Sequence, residues 1–145
     1  MARTRIEEPA SFPFTTNIPV RITDVNYGGH VGNDTLLSLI HEARVQYLAH
    51  YGYGEMSLDG VSLIMSDVAI EFKKELFYGD IIRASVAAVE FSRLGFELVY
   101  KLETGNAGNF KVAALARTGM VCYNYGAKKI VSLPEKVRLK LSSHQ

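Results

Sequence analysis

The fold of this chain is decided by residues 24–51, which have the sequence DVNYGGHVGNDTLLSLIHEARVQYLAHY. The first part, Asp24 to Gly32, contains three glycines and two Asx residues, a composition typical of a loop. The second part carries apolar residues at helical spacing. The stretch therefore predicts a glycine-rich loop that leads directly into a helix.

The predicted helix covers residues 34–51 and is the main helix of the domain. Asn33 or Asp34 can cap its N-terminus, with Thr35 a weaker candidate, and the glycines that follow Tyr51 end it. When successive residues are placed about 100° apart, a set of apolar residues shares one side. This arc contains Leu36, Leu39, Ile40, Ala43, Tyr47 and Tyr51, and Leu37 and Leu48 widen it.

Residues after Gly60 alternate between apolar and polar side chains, which is the spacing of β-strands. Strands are predicted at 68–73, 82–88, 96–102 and 112–122. Turn-forming residues lie between them, at 78–80, 93–95 and 104–109. Two shorter elements follow, a strand at 128–132 and a helix at 134–141. Before the loop, residues 12–23 predict an edge strand, because Pro13 and Pro19 cannot donate ladder hydrogen bonds.

The order of these elements predicts an α+β fold in which one long helix lies on one antiparallel sheet. We expect a single domain over residues 1–145, with 1–11 as a loose polar arm. The apolar arc of the helix is wide, and Val45 and Ala49 extend apolar surface beyond it. One thin sheet cannot cover such a helix on most sides, so self-association is one solution.

The composition argues against several classes of function. The chain has 145 residues, of which 48% are hydrophobic and 21% charged, and its net charge of +1 gives no broad field for nucleic acid. No apolar run approaches the ~18 residues of a membrane span, and residues 1–9 lack the apolar stretch of a secretory signal. We therefore expect a cytoplasmic protein. The single cysteine, Cys122, is expected to be a buried strand residue.

The loop and the start of the helix suit the chemistry of acyl transfer. Glycines let backbone N–H groups approach a ligand closely, and a helix N-terminus offers unpaired N–H groups with a partial positive charge. Together they can polarise a thioester carbonyl, while a carboxylate or imidazole activates water or attacks directly. The structural alternative is that the Asx residues and glycines only form a turn and a cap, with His30 as a hydrogen-bond partner.

Several segments of the chain resemble a known family. The loop from Arg21 to Asn33, followed by His41-Glu42-Ala43-Arg44 in the helix, resembles the signature of the 4-hydroxybenzoyl-CoA thioesterase-like hotdog family. That signature is an Asp-x-Asp-x-x-Gly-His-Val-Asn-Asn loop before a helix with Glu-Ala-Arg. Later segments are similar to the family's strands and hairpins, at 70–80, 91–96, 114–123 and 133–135. The resemblance covers residues 17–136.

The resemblance implies a hotdog fold, a curved antiparallel sheet of five to six strands wrapped around one long central helix. It also implies a dimer, or a dimer of dimers, with the site at the subunit interface. The family hydrolyses acyl-CoA or acyl-carrier-protein thioesters. No metal and no cofactor is expected, and CoA enters only as part of the substrate.

The loop departs from the family's pattern at the position that matters most for catalysis. Asn26 stands where the family often has its catalytic Asp, and an amide cannot act as a carboxylate nucleophile or base. Asp24 holds the first acidic position, which is more often structural. Gly32 replaces the usual first Asn after His-Val, while Asn33 keeps the second.

Three routes to catalysis follow from this departure. In the favoured route, Asn26 orients the thioester or a water while His30 or Glu42 acts as the base. In the second route, Asp24 takes the role of the missing acid. In the third, the partner chain supplies a carboxylate, for which Glu71 is the candidate.

The predicted substrate-binding residues lie on the loop, on the following strand and on a hairpin, at Tyr27, Gly29, Val31, Asn33, Lys73 and Arg93. Basic side chains should rim a site for CoA phosphates, so Arg93 is the first candidate, ahead of Lys73 and Lys74. Aromatic side chains are expected either to line an acyl pocket or to pack in the core, at Tyr27, Tyr47 and Phe72. Arg44 falls inside the apolar arc and needs a partner if buried, either an acid or a ligand phosphate.

Two other functions stay open at this level. The first is a hotdog protein that binds acyl-CoA or acyl carrier protein without turnover, since Asn26 replaces the expected acid. The second is dehydration of a hydroxyacyl thioester, with a histidine and a carboxylate as acid and base. The loop resembles the thioesterase branch more closely than either alternative.

Overall fold

The computed structural model describes residues 5–106 and 108–143. The chain begins with β1 (Phe14–Pro19), a short 3₁₀ turn (Ile22–Asp24) and the long helix α1 (Asn33–His50). Four long strands follow, β2 (Ser62–Phe72), β3 (Ile81–Val89), β4 (Gly95–Asn106) and β5 (Asn109–Asn124). The last elements are β6 (Lys129–Ile130) and α2 (Glu135–Ser142).

The strands form one antiparallel sheet in the order β1-β3-β4-β5-β2, with β6 paired to the end of β5. The predicted α+β class and the sheet of five to six strands on one long helix are confirmed. Among the described residues, no helix combines the length and the apolar character needed to cross a bilayer.

The predicted helix is nearly correct in extent, but its cap is wrong. The first intrahelical hydrogen bond runs from the Leu36 N–H to the Gly32 carbonyl, at 3.0 Å. Gly32 is therefore the N-cap residue, and Asn33 is already the first helical residue. Neither Asn33 nor Asp34 caps the helix, because both lie inside it.

Several strand boundaries also differ from the prediction. The edge strand predicted at 12–23 is β1 only at Phe14–Pro19, because the chain then turns into the 3₁₀ segment. β2 starts at Ser62, six residues before the predicted start at 68. The turn predicted at 104–109 is tighter, since Gly105 pairs with Phe110 and Asn106 with Asn109.

The core lies between α1 and the inner face of the sheet. All members of the predicted apolar arc of α1 are buried, as is Leu48, whereas Leu37 remains 41% exposed. Cys122 is buried on β5, as expected, and burial raises the pKa of its thiol to about 11. Val45 is 45% exposed, so the chain by itself leaves part of the helix uncovered.

The predicted polar arm lies partly outside the described residues, since 1–4 are not among them. Residues 5–11 form no helix or strand, but they contact the sheet. The Glu8 carboxylate is 3.5 Å from Lys101 Nζ, and the same ammonium lies 5.1 Å from the centre of the Phe12 ring. The described part of the arm thus lies against the sheet face opposite α1.

β2 is an edge strand, and its helix-facing side chains are not fully covered. Val68 and Phe72 pair with Thr118 and Ala114 of β5, whose side chains are buried, so all four point to the inner face. Large apolar side chains stay exposed along this edge and on the adjacent side of α1. We call this set the apolar seam, and it consists of Leu37 (41% exposed), Met65 (44%), Val68 (38%) and Phe72 (54%).

Candidate active site

The loop before α1 is held in one shape by its own hydrogen bonds. The Asn26 N–H donates to the His30 carbonyl at 3.0 Å, and the Gly29 N–H donates to the Asn26 carbonyl at 2.9 Å. Gly29 has φ +80°, a left-handed conformation that favours glycine. The Gly28 N–H donates to Asn26 Oδ1 at 2.9 Å, so the Asn26 side chain closes an Asx turn.

The Asn26 amide thus has its oxygen engaged and its nitrogen available. A Cβ built on Gly32 would lie 3.7 Å from Asn26 Nδ2, which places this nitrogen beside the N-cap of α1. Among the described residues, Nδ2 has no hydrogen-bond partner. The side chain can therefore donate a hydrogen bond to a group bound at the start of the helix.

The link between β2 and β3 holds the loop from the other side. The Val31 N–H donates to the Leu76 carbonyl at 2.8 Å, and His30 forms an isolated β-bridge with Phe77. The two rings meet edge to face, 6.5 Å apart. His30 Nε2 lies 4.0 Å from Glu75 Oε1, and 35% of the His30 side chain is exposed. The imidazole is therefore positioned beside a carboxylate and stays accessible.

A pocket of about 560 Å³ opens where the loop, the helix start and the β2 end meet. This volume is within the usual range for a small-molecule site. Its polar lining comes from Asn26, His30, Asn33, Lys73, Lys74 and Glu75. Its apolar lining comes from Val31, Leu36, Phe72, Leu76, Ala113 and Ala114, and Gly32 completes it. We call this the loop pocket.

The loop pocket brings together many of the predicted site residues. Asn26, His30, Val31, Asn33 and Lys73 all line it. The first turn of an eighteen-residue helix contributes free N–H groups and the positive end of the helix dipole, and no side chain caps it. The pocket thus combines backbone donors, an amide donor and an imidazole above an apolar floor.

Asp24 lies outside this pocket. Its carboxylate accepts hydrogen bonds from the Arg21 N–H at 2.8 Å and from Arg21 Nε at 3.3 Å, and it is 5% exposed. Burial by itself would raise the pKa of Asp24, but the hydrogen bonds and the charge of Arg21 lower it overall. The side chain is committed to holding the 3₁₀ turn that leads into the loop.

Glu42 also lies elsewhere, in a separate groove with Arg21, Asp24 and Gln46. Its Oε2 accepts a hydrogen bond from Gln46 Nε2 at 2.7 Å. The structure therefore separates Glu42 from His30, the other base that the sequence left open.

The remaining predicted residues also lie away from the loop pocket. The Tyr27 side chain is fully exposed, and Gly29 shapes the loop without lining the pocket. Arg93 sits in the β3–β4 hairpin, where its Nη1 donates to Ser132 Oγ at 3.4 Å. Glu71 pairs with Lys73, with 3.4 Å between Oε2 and Nζ.

Arg44 and Tyr47 are two residues of α1 with buried polar groups. Arg44 has an acidic partner, since its Nε lies 3.6 Å from Glu55 Oε1, and its Nη1 donates to the Tyr100 hydroxyl at 3.2 Å. Tyr47 is fully buried in the core rather than in the loop pocket, and burial raises the pKa of its hydroxyl. Phe72, the third aromatic candidate, does line the loop pocket.

Sequence reasoning missed Glu75, Leu76 and the two alanines of β5 as pocket residues. Glu75 and Leu76 reach the site only because the β2–β3 link bridges to the loop, a tertiary contact without a local signal. The alanines carried a weak signal, because alternation predicted Ala114 on one face of the strand. Among the described residues, no group of three or more His, Cys, Asp or Glu side chains is placed to hold a metal ion.

Comparison with known proteins agrees with this architecture. The family model described as the thioesterase-like superfamily matches residues 20–141. A 1,4-dihydroxy-2-naphthoyl-CoA hydrolase of Microcystis aeruginosa is 30% identical over 122 residues, which cover 82% of this chain and 86% of that protein.

Solved structures of similar proteins have the same fold. A hypothetical protein of Aquifex aeolicus superposes with a TM-score of 0.79 at 25% identity, covering 89% of this chain and 99% of that chain. An Asp-to-Asn mutant of 4-hydroxybenzoyl CoA thioesterase, complexed with 4-hydroxybenzoyl CoA, has a TM-score of 0.79 at 15% identity. That match covers 88% of this chain and 97% of the other, and shows the fold alone. This chain therefore belongs to the thioesterase-like superfamily, has its hotdog fold, and by that membership is a thioesterase.

Proposed function

We propose that this chain hydrolyses acyl-CoA thioesters in the loop pocket and releases a carboxylic acid and free CoA. The observation that carries the proposal is the meeting of Asn26, His30 and the uncapped start of α1 in one pocket. Each of these groups has a distinct task in the reaction.

The start of α1 would bind the thioester carbonyl. The N–H groups of the first turn have no intrahelical acceptor, and the helix dipole favours negative charge at this end. When water attacks, the carbonyl oxygen becomes an oxyanion, which these donors stabilise more strongly than they stabilise the ground state.

Asn26 would orient rather than attack. An amide is not a nucleophile, and its Oδ1 already accepts a hydrogen bond from Gly28. Its Nδ2 can donate to the thioester oxygen or to the attacking water. The loss of a carboxylate at this position thus leaves direct hydrolysis by water as the favoured route.

His30 would act as the general base. Its imidazole takes the proton of the attacking water while the water oxygen bonds to the carbonyl carbon. The tetrahedral intermediate then collapses, the C–S bond breaks, and the departing sulfur takes the proton from the imidazolium. Glu75, with Oε1 4.0 Å from Nε2, stabilises the imidazolium charge.

Lys73 and Lys74 would bind the phosphates of CoA at the rim of the pocket. Lys73 shares its charge with Glu71, whereas Lys74 has no ion-pair partner among the described residues. The same basic rim is compatible with the phosphopantetheine arm of an acyl carrier protein, so the experiment must include both substrates.

A homodimer is part of this proposal. Within residues 5–106 and 108–143, no strand pairs with the outer edge of β2, and the apolar seam beside it is an exposed apolar patch. A second copy placed along β2 would cover the seam and put the loop pocket at the subunit interface. The mass of the protein in solution tests the dimer, and a mass of four chains would indicate further association into a dimer of dimers. We also propose a cytoplasmic location.

The test is the release of free thiol from a panel of aliphatic and aromatic acyl-CoAs and acyl carrier proteins. The proposal expects release well above the uncatalysed rate for at least one member. Calorimetry with the same panel separates the alternative function. Tight binding with no release of thiol from any member would support the non-catalytic binding protein and refute hydrolysis.

A further inference from the structure

The apolar seam lies between two pockets at its opposite ends. The loop pocket lies at the Phe72 end, and a second cavity of about 240 Å³ lies at the Met65 end. The second cavity is lined by Leu37, Ile40 and Met65 on its apolar side and by Ser38, His41, Arg44 and Thr118 on its polar side. We call it the distal pocket.

The two pockets are close enough for one acyl group to reach from the first to the second. Asn33 and His41 are eight residues apart on α1, which corresponds to about 12 Å at ~1.5 Å per residue. Ala114 and Thr118 are four residues apart on β5, which corresponds to about 13 Å at ~3.3 Å per residue. Because helix side chains lean towards the N-terminus, the span between the functional groups is shorter than the span between the backbones.

The polar side of the distal pocket is a connected network. His41 Nε2 lies 2.8 Å from Glu55 Oε1, and the same oxygen is 3.6 Å from Arg44 Nε. Arg44 Nη1 donates to the Tyr100 hydroxyl, which lies 2.8 Å from Thr118 Oγ1. The Arg44 side chain is only 7% exposed, and its Nε has no hydrogen-bond partner among the described residues.

The charges of this network favour a neutral ligand group over an anion. Glu55 already balances the guanidinium of Arg44. A carboxylate can only accept hydrogen bonds, so an ionised Glu55 requires that His41 Nε2 carries the proton. His41 Nδ1 has no hydrogen-bond partner among the described residues, and the His41 side chain is 56% exposed. A hydroxyl group can either donate to this nitrogen or accept from it, whereas a second carboxylate would meet the negative charge of Glu55.

We propose that the distal pocket recognises a hydroxyl group at the far end of the acyl group, with His41 as the main specificity-determining residue. The inference rests on the proposed function, because the thioester must sit in the loop pocket for the acyl group to follow the seam. The apolar seam then holds the hydrocarbon part of the substrate. In a dimer, the second copy would cover this part from solvent.

The experiment compares octanoyl-CoA, ω-hydroxyoctanoyl-CoA and the ω-carboxy analogue suberyl-CoA as substrates. The wild type should prefer the hydroxylated chain over octanoyl-CoA by about tenfold in kcat/KM, the size of one additional hydrogen bond in a partly exposed site. In His41→Ala this preference, the ratio of the two kcat/KM values, should fall to within about twofold. His41→Gln retains an acceptor and should recover part of the preference.

His50→Ala is the matched control, because His50 is an exposed histidine at the other end of the same helix. Its preference should equal that of the wild type. Equal kcat/KM for the two chains in the wild type, or a preference that survives in His41→Ala, would overturn the inference. A preference for suberyl-CoA would also overturn it, in favour of an anionic group.

A binding measurement keeps this test separate from the proposed hydrolysis. The S-octyl and S-(ω-hydroxyoctyl) thioethers of CoA cannot be hydrolysed, so their dissociation constants do not depend on turnover. If no thioester is cleaved but the hydroxylated thioether binds about tenfold more tightly in a His41-dependent way, the proposed function fails and the hydroxyl site stands. Equal affinities refute the hydroxyl site whether or not the protein is an active hydrolase.

Discussion

Replacement of Tyr47 by phenylalanine should stabilise this protein. The Tyr47 side chain is fully buried, and its hydroxyl has no hydrogen-bond partner among the described residues. Its ring packs edge to face against Phe14, with centroids 5.9 Å apart, and against Tyr51 at 5.1 Å. Phenylalanine keeps these ring contacts and removes only the unpaired hydroxyl.

The magnitude follows from the cost of a buried, unpaired polar group. That cost is about 1–3 kcal/mol, and part of it is lost to the small gap that the missing oxygen leaves. We expect a net gain of about 1 kcal/mol in the free energy of unfolding, which raises Tm by roughly 2–4 °C for a chain of this size.

The pH dependence gives a second readout of the same substitution. Burial raises the pKa of Tyr47 in the folded state, so this group is protonated in both states below a pH of about 10. Above that pH the unfolded chain loses the proton while the folded chain keeps it, and stability falls. Tyr47→Phe should therefore gain more over the wild type at alkaline pH than at neutral pH.

Urea unfolding at equal protein concentration measures both effects, at neutral pH and again at a pH near 11. Equal concentrations matter because a dimer couples association to unfolding. Tyr51→Phe is the comparison variant on the same helix face. A loss of about 1 kcal/mol or more in Tyr47→Phe at neutral pH would refute the reasoning, because it would mean that the hydroxyl has a favourable partner.

Three further variants test other parts of the structure. Asp24→Asn should lower the free energy of unfolding by about 1 kcal/mol at neutral pH, as measured by thermal unfolding. Since Arg21 lowers the pKa of Asp24 in the folded state, this loss should shrink as the pH falls below about 4 and through that pKa. Glu42→Gln should keep kcat within about twofold in the thiol-release assay, because Glu42 faces a groove away from His30; a drop of a hundredfold would make Glu42 the base after all. Lys74→Glu should raise KM for an acyl-CoA about fivefold at low salt, because an exposed ion pair contributes up to ~1 kcal/mol. This difference in KM should decrease at high salt. An unchanged KM would mean that the CoA phosphates bind elsewhere.

The main architecture was predictable because its signals are local. The rotation of about 100° per residue identified the buried side of α1 correctly, from Leu36 to Tyr51. Alternation placed Ala114 and Cys122 on the inner face of β5. The order of elements then left few arrangements other than one helix on one antiparallel sheet.

The location of the site was predictable from the sequence, but the full set of residues that line it was not. The loop residues Asn26 and His30 were found because the loop resembles the family signature, whereas glycines and Asx residues before a helix are by themselves also typical of a simple turn and cap. Glu75 and Leu76 could not be found, since only the bridge between His30 and Phe77 brings their segment to the loop. Glu42 was a reasonable candidate from helical position, but the groove it faces depends on where Arg21 and Gln46 lie in space.

The measurement that tests the central claim most directly is thiol release by three variants of the chain, His30→Gln, Asn26→Ala and the control His50→Ala. Loss of the base should lower kcat by about 10²- to 10⁴-fold in His30→Gln, and loss of one donor to the oxyanion or water should lower it by about 10²-fold in Asn26→Ala. His50→Ala should match the wild type. If His30→Gln and Asn26→Ala, both folded by circular dichroism, release thiol at the wild-type rate, then the loop pocket is not the site of hydrolysis.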